Sequence, residues 1–150
     1  MNPLSILVSS FDEVKDVLLV WHKQHSSLNL PYEIYYGLNY PDKDFIKSQS
    51  IEFKNKILYS ESYSWSYSLK KWLLKIDSEY ILLLLDDHII KKLEYKHIEI
   101  LLKKLKNENI NFSQLTYASN FLKNFICKDY FFFGELPKGK YSINLQPSIW

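Results

Sequence analysis

Residues 80–88 read YILLLLDDH, a run of apolar and aromatic residues followed directly by two aspartates and a histidine. The run has no alternating polar residues, which is typical of a β-strand buried on both faces. Such strands occur mainly in parallel sheets that helices cover on both sides. We therefore predict an α/β domain in which Asp86, Asp87 and His88 follow the carboxyl end of a buried strand.

The neighbouring segments carry the patterns of helices and further short strands. Short β-branched or aromatic runs predict strands at residues 5–8, 32–36, 56–59 and 112–117. The capping-box spacing of Ser10 and Glu13 predicts that the first helix starts there. Alternating strands and helices imply a Rossmann-like, mostly parallel sheet. The helices are predicted by apolar residues at i, i+3, i+4 and i+7, in the stripes Val14, Val17, Leu18, Trp21; Leu69, Trp72, Leu73, Ile76; and Ile98, Leu101, Leu102, Leu105.

The last part of the chain has a different pattern. Residues 130–133 and 141–145 predict two strands joined by a turn at residues 137–140, and so a small β-hairpin-like part. The chain has no internal repeat, low-complexity tract or linker. We therefore expect residues 1–150 to form a single domain.

Composition and charge exclude several classes of protein. The formal net charge is +2, which does not indicate a nucleic-acid partner. The single cysteine, Cys127, excludes a disulfide scaffold. No targeting segment is visible, and the aliphatic run at residues 81–85 is far shorter than the ~20 residues of a transmembrane helix, so we expect a cytoplasmic location. All 19 basic residues are lysine, so a phosphate site must use lysine, backbone amides or a metal ion.

Polar residues gather where the predicted strands end. The carboxyl ends of parallel strands lie at one edge of a sheet, and ligands of open α/β sheets bind there. The sequence therefore predicts one polar site at this edge. The residues that we place there are Ser9, Ser10, Asn39, Asp42, Asp86 and Asp87.

The adjacent carboxylates of Asp86 and Asp87 have two interpretations. Two neighbouring negative charges repel each other, and a bound divalent cation relieves that cost. Such a cation, Mg²⁺ or Mn²⁺, can also stabilise a departing diphosphate. Alternatively, one aspartate caps the segment that follows the strand. The two-residue spacing alone does not decide between a metal site and a cap.

Three stretches resemble GT-A glycosyltransferases, in particular bacterial, family-two-like enzymes that use nucleotide-diphosphate sugars. Residues 77–87, DSEYILLLLDD, resemble the segment in which a hydrophobic strand ends in the DXD-type motif. Residues 6–12, ILVSSFD, are similar to the first strand and nucleotide-binding loop. Residues 141–150, YSINLQPSIW, resemble the YxhxLQPAIW stretch of a bacterial branch. The resemblance spans nearly the whole chain, covers the family's donor-binding half and implies a GT-A fold.

The resemblance also implies which residues bind the donor nucleotide. Ser9 and Ser10 would contact the nucleobase and the ribose. Asn39 or Asp42 would stand where the family often places a base- or ribose-binding acid. Lys70 would approach the diphosphate near the start of a helix, which attracts anions; the alternative for Lys70 is a solvated position on the helix flank.

The implied metal site lies directly after the buried strand. By resemblance, Asp87 would be the principal ligand of Mn²⁺ or Mg²⁺, and Asp86 would face the ribose or the same ion. The sequence departs from a strict DXD motif because its third position is His88. An imidazole can also ligate Mn²⁺, so His88 is included among the candidate ligands.

The implied function is transfer of a sugar from a nucleotide-diphosphate sugar to a saccharide or lipid-linked acceptor, in surface polysaccharide or lipopolysaccharide assembly. The family's general base lies beyond the LQPAIW stretch, so no catalytic residue is assigned. We expect this chain to bind the donor but to transfer sugar poorly. The alternative is a non-catalytic nucleotide-binding remnant or interaction module. A sugar nucleotidyltransferase is disfavoured because no glycine-rich, basic phosphate loop lies near the N-terminus.

Two surface features bear on further partners. Ile149 and Trp150 are expected to leave apolar surface that favours self-association. The polar side of the third helix is either simply solvated or attracted to the anionic inner face of a membrane as a peripheral contact. Its lysines are Lys91, Lys92, Lys96, Lys103, Lys104 and Lys106.

Overall fold

The computed structural model describes residues 2–11, 13, 15–27, 30–88, 95–109, 113–114, 123–128, 131–135 and 148–149. Side chains are described up to residue 109, apart from those of Glu52 and Tyr95. Within these residues the strands are β1 (Asn2–Phe11), β2 (Glu33–Asn39), β3 (Ile57–Ser60), β4 (Ser78–Leu85), β5 (Ser113–Gln114), β6 (Lys123–Lys128), β7 (Phe131–Glu135) and β8 (Ser148–Ile149). The helices are α1 (Lys15–Ser26), α2 (Lys43–Ser48), α3 (Ile51–Lys54), α4 (Trp65–Leu73) and α5 (Tyr95–Asn107).

The first four strands form a parallel sheet, as predicted. β1 pairs in parallel with β2 on one side and with β4 on the other, and β2 pairs in parallel with β3. The strand order in this part is therefore β3-β2-β1-β4. Each pair of consecutive strands is connected through one or two helices, which is the β-α-β arrangement of α/β proteins. This architecture confirms an α/β, Rossmann-like fold.

The C-terminal strands extend the same sheet beyond β4. β8 pairs antiparallel with β4, and β5, β7 and β6 follow in that order. β6 and β7 form a hairpin. β7 corresponds to the predicted strand at residues 130–133, but it is the second strand of the hairpin rather than the first. The predicted turn and second strand fall within residues 136–147, which lie outside the described residues.

The side chains of the parallel strands alternate between two buried faces. One face carries Ile6 of β1 and packs against α1 and α5 through residues such as Trp21 and Leu101. The opposite face carries Leu7 and packs against α4 through Trp72. A strand in the middle of such a sheet must be apolar at every position, which is why no polar alternation interrupts residues 80–85. β4 contributes Leu82 and Leu84 to the first face and Ile81 and Leu83 to the second.

The first helix begins later than predicted. α1 starts at Lys15 because Ser10 still belongs to β1, where it pairs with Leu38 of β2. The Ser10 hydroxyl donates to the carboxylate of Asp86 rather than capping the helix. The capping-box prediction at Ser10 was therefore wrong. Sheet pairing on both sides of β1 outweighs a local cap.

Two short helices between β2 and β3 were not predicted. Asp42 caps α2 by accepting a hydrogen bond from the backbone N–H of Asp44, and Ser50 caps α3 by accepting one from Phe53. Helices of this length cannot show a repeating apolar stripe, so the capping residues were the available signal. In the described parts of the chain, no helix has the length and apolar character needed to cross a membrane.

Candidate functional site

The order of the parallel strands reverses between β1 and β4. β2 and β3 lie on one side of β1, whereas β4, the next strand along the chain, lies on the other. α1 and α4 accordingly pack on opposite faces of the sheet. At such a reversal the loops beyond the carboxyl ends of the strands diverge and leave a crevice, which is where ligands of open α/β sheets bind. The candidate site therefore lies at the ends of β1 and β4.

β4 ends in a tight turn that presents the two aspartates. The backbone N–H of His88 donates to the carbonyl of Leu85 at 3.0 Å, so Asp86 and Asp87 occupy the two central positions of a β-turn. The backbone N–H of Leu85 donates to Nδ1 of His88 at 3.1 Å. An accepting ring nitrogen carries no proton, so the neutral imidazole has its proton on Nε2. Nε2 lies 3.7 Å from Oδ1 of Asp87.

The two aspartates of this turn have different environments. The fully buried Ser10 hydroxyl donates to Oδ2 of Asp86 at 2.5 Å, and the backbone N–H of Asp86 donates to the carbonyl of Ser9 at 3.2 Å. The side chain of Asp87, in contrast, is 75% exposed. Asp86 therefore anchors the turn to β1 across the strand reversal. The carboxylate of Asp87 is the one that an incoming ligand would reach first.

Ser9 and Asn39 lie at the same edge of the sheet but on its other face. Side chains alternate along β1, so Ser9 faces α4 whereas Ser10 faces α1. The Ser9 hydroxyl accepts a hydrogen bond from the indole N–H of Trp65 at 2.7 Å, and the Asn39 amide donates to the carbonyl of Ser62 at 3.5 Å. Both residues are almost fully buried, and in the described part of the chain Oδ1 of Asn39 has no partner. These contacts hold the start of α4 against the sheet.

Asp42 lies at the start of α2, and Lys70 lies near the end of α4. Asp42 caps α2, and its carboxylate lies 3.8 Å from Nζ of Lys15. Lys70 is exposed in the last turn of α4, about 8 Å along the helix axis from Trp65. The sequence predicts Lys70 near the start of this helix. The structure instead places it toward the end that points away from the carboxyl edge.

Exposed aromatic side chains at this edge were not among the predicted site residues. Phe11, at the end of β1, is 46% exposed, and Tyr40, directly after β2, is 48% exposed. Tyr63, which precedes α4, stacks on Tyr40 with ring centroids 4.2 Å apart, and its hydrogen bond with Tyr40 raises the pKa of Tyr63. Tyr40 has a positive φ of 49°, and its N–H donates to Ser60. An aromatic residue at a strand end or directly after it is the signal that could have located Phe11 and Tyr40.

The indole of Trp21 supports the turn after β4. Nε1 of the buried Trp21 donates to the backbone carbonyl of His88 at 2.9 Å. The sequence places Trp21 on an apolar stripe and gives no sign of this polar contact. The two residues are 67 positions apart, so only the fold brings them together.

The turn offers two carboxylates to a divalent cation. Mg²⁺ and Mn²⁺ prefer oxygen ligands and are commonly held by one or two carboxylates together with substrate phosphates. Asp87 and the second oxygen of Asp86 fit this coordination. His88 fits it less well, since the proton on Nε2 suits donation to an anionic oxygen. Among the described residues no group of three or more ligating side chains is assembled, so the other ligands of an ion would be phosphate and water.

A cavity of about 450 Å³ lies at the opposite edge of the molecule. It contains none of the candidate residues, and its charged groups are one carboxylate and one ammonium on the same helix. We therefore place the candidate site at the carboxyl edge on chemical grounds. The cavity is lined by Pro3, Pro31, Tyr32, Glu99, Leu102 and Lys103.

Comparisons with known proteins give a structural similarity but no match in sequence. No protein family and no curated protein matches the sequence. Among solved structures, the chain is similar to a CMP:2-keto-3-deoxy-manno-octonic acid synthetase in complex with CTP. The TM-score is 0.46 and the identity 11%, over 78% of this chain and 61% of that protein. The chain thus spans about three fifths of that protein's length.

Proposed function

We propose that this chain binds a nucleotide-diphosphate sugar at the carboxyl edge of its parallel sheet, with a divalent cation at Asp86 and Asp87. We further propose that it is the donor-binding part of a GT-A-like glycosyltransferase. The observation that carries the proposal is the exposed carboxylate of Asp87 on a clamped turn at the strand reversal. Ligands of open α/β sheets bind at this point.

The lack of arginine supports a cation in this site. A diphosphate bears several negative charges, and no guanidinium is present to pair with them. A bound Mg²⁺ or Mn²⁺ would neutralise the charge that develops on a departing diphosphate. Asp87 would hold the ion, Asp86 would complete the protein's share of the ligands, and Nε2–H of His88 would donate to an anionic oxygen.

The exposed aromatics support a nucleotide rather than a phosphate alone. Tyr40 follows β2, and Asp87 follows β4, so two strand spacings, or about 10 Å, separate these strand ends. A nucleoside diphosphate is long enough to place its base beside Phe11 or Tyr40 and its phosphates at Asp87. Stacking of a base on an aromatic ring is favourable for every nucleobase.

Sugar transfer is the finer part of the proposal. It rests on the resemblance of residues 6–12, 77–87 and 141–150 to the glycosyltransferase motifs. The acceptor is proposed to be a saccharide or a lipid-linked saccharide, reached at the inner face of a membrane. Release of nucleoside diphosphate from its sugar, in the presence of Mn²⁺, tests this step separately from binding.

Thermal unfolding with UDP, GDP, ADP and dTDP, each with and without MnCl₂, tests the binding. A ligand at about 100 times its Kd stabilises the folded state by about 2.7 kcal/mol. We expect one nucleoside diphosphate to raise the melting temperature, and MnCl₂ to enlarge that rise. Asp87→Asn should remove the Mn²⁺-dependent part without lowering the basal melting temperature, because the side chain is exposed.

The matched control is Asp77→Asn, which removes an exposed carboxylate just before the start of β4, at the opposite edge of the sheet. It should leave the Mn²⁺-dependent rise unchanged. An equal rise in the parent and in Asp87→Asn would show that Asp87 is not a ligand. No rise with any nucleotide would refute the binding function itself.

A further inference from the structure

The turn after β4 can serve a ligand only if its position is fixed. Its backbone bond from His88 to Leu85 closes the turn but does not attach it to the rest of the molecule. The backbone N–H of Asp86 attaches the start of the turn to Ser9 of β1, and two side chains from elsewhere add to that attachment. Ser10 holds Asp86 at the start of the turn, and the indole N–H of Trp21 holds the carbonyl of His88 at its end.

Trp21 itself cannot easily move. Its ring stacks on His25 with centroids 3.6 Å apart and an interplanar angle of 14°. It also meets Tyr36 edge-on at 6.0 Å. Nδ1 of His25 donates to the carbonyl of Trp21 at 2.8 Å, and Trp21 is only 1% exposed. The direction of its indole N–H is therefore set by the core of the domain.

We propose that Trp21 is a positioning residue of the metal and diphosphate site. Trp21 lies on α1 and is packed in the core, and its indole N–H holds the turn that presents Asp87 in a fixed position relative to that core. This inference rests on the proposed function, because it assumes that Asp86 and Asp87 bind a cation. It adds that the affinity of this site depends on one indole N–H that touches neither the metal nor the nucleotide.

The expected effect follows from the general behaviour of residues that support metal ligands. Loss of such a support typically weakens metal affinity 10- to 100-fold. A Phe side chain keeps most of the ring contact with His25 but has no N–H. Trp21→Phe should therefore raise the Kd for Mn²⁺ by about 10-fold or more.

Trp72→Phe is a closely matched control. Trp72 is also fully buried against the sheet, but on the opposite face, and its indole N–H has no partner in the described part of the chain. Both substitutions remove the same atoms from a core. Only Trp21→Phe removes a hydrogen bond to the turn. A general loosening of the fold would affect the two variants alike.

The experiment measures free Mn²⁺ by electron paramagnetic resonance in titrations of MnCl₂ alone and of MnCl₂ with UDP, GDP, ADP or dTDP, at a temperature where all variants are folded. We expect weaker binding for Trp21→Phe and an unchanged Kd for Trp72→Phe. If Trp21→Phe does not fold, β-(3-benzothienyl)alanine at position 21 keeps the ring shape and removes the N–H.

The outcomes distinguish this inference from the proposed function. Mn²⁺ binding by the parent with equal Kd values for Trp21→Phe and Trp72→Phe would overturn the role of Trp21 and leave the proposed site intact. An absence of Mn²⁺ binding by the parent in every titration would overturn both. A selective loss in Trp21→Phe, or in the benzothienyl variant, would establish Trp21 as the support of the site.

Discussion

At the scale of single residues, His25 links the stability of the domain to pH. Its ring is 1% exposed and donates from Nδ1 to the carbonyl of Trp21. Burial lowers the pKa of His25 below its ordinary value of 6.5, although the hydrogen bond to Trp21 acts in the opposite direction. The folded state therefore keeps His25 neutral over a range of pH in which the unfolded chain already binds a proton.

The sign of the pH dependence follows from this difference. Because the unfolded state binds more protons below pH 6.5, the free energy of unfolding falls as the pH drops through that value and is constant above it, as far as His25 is concerned. We expect the melting temperature to decrease on acidification and His25→Gln to flatten this decrease. Equal slopes for the parent and His25→Gln would contradict the assignment.

At the scale of elements, the packing of α4 on the sheet depends on a glycine in β2. A Cβ atom at Gly37 would overlap the indole ring of Trp72, so α4 can lie this close to the strand only because Gly37 has no side chain. Gly37→Ala forces the helix or the ring to shift, which typically costs about 1–3 kcal/mol. We expect a corresponding loss in the free energy of unfolding, measured by urea denaturation.

A double-mutant cycle separates overlap from other effects of the substitution. Trp72→Phe removes part of the ring that a Cβ at Gly37 would meet. The double variant should lose less stability than the sum of the two single variants, because the smaller ring makes room for the new methyl group. Strictly additive losses would mean that the cost of Gly37→Ala arises elsewhere, for example from the backbone of β2.

At the scale of the whole molecule, local pattern predicted the elements better than it predicted their contacts. The apolar run of β4 and the stripe of α4 were visible because burial on both faces, or on one stripe, repeats along the sequence. The end of β1 was not, because pairing of Ser10 with β2 is a non-local effect. Asp87 could be assigned to the candidate site because it directly follows the apolar run. The support by Trp21 could not be predicted, because its contact with His88 joins residues 67 positions apart.

The two edges of the sheet offer different candidate binding sites. The carboxyl edge carries the clamped turn and Asp87, whereas the opposite edge carries the cavity next to Glu99. We expect saturating nucleoside diphosphate with MnCl₂ to slow amide hydrogen exchange at residues 9–11, 39–40 and 85–88, because binding restrains the loops that contact the ligand. Exchange at Tyr32 and at residues 99, 102 and 103, which line the cavity, should not change. The measurement is by mass spectrometry. Slower exchange only at the residues that line the cavity would place the binding site there, and the aspartate turn would then only end β4.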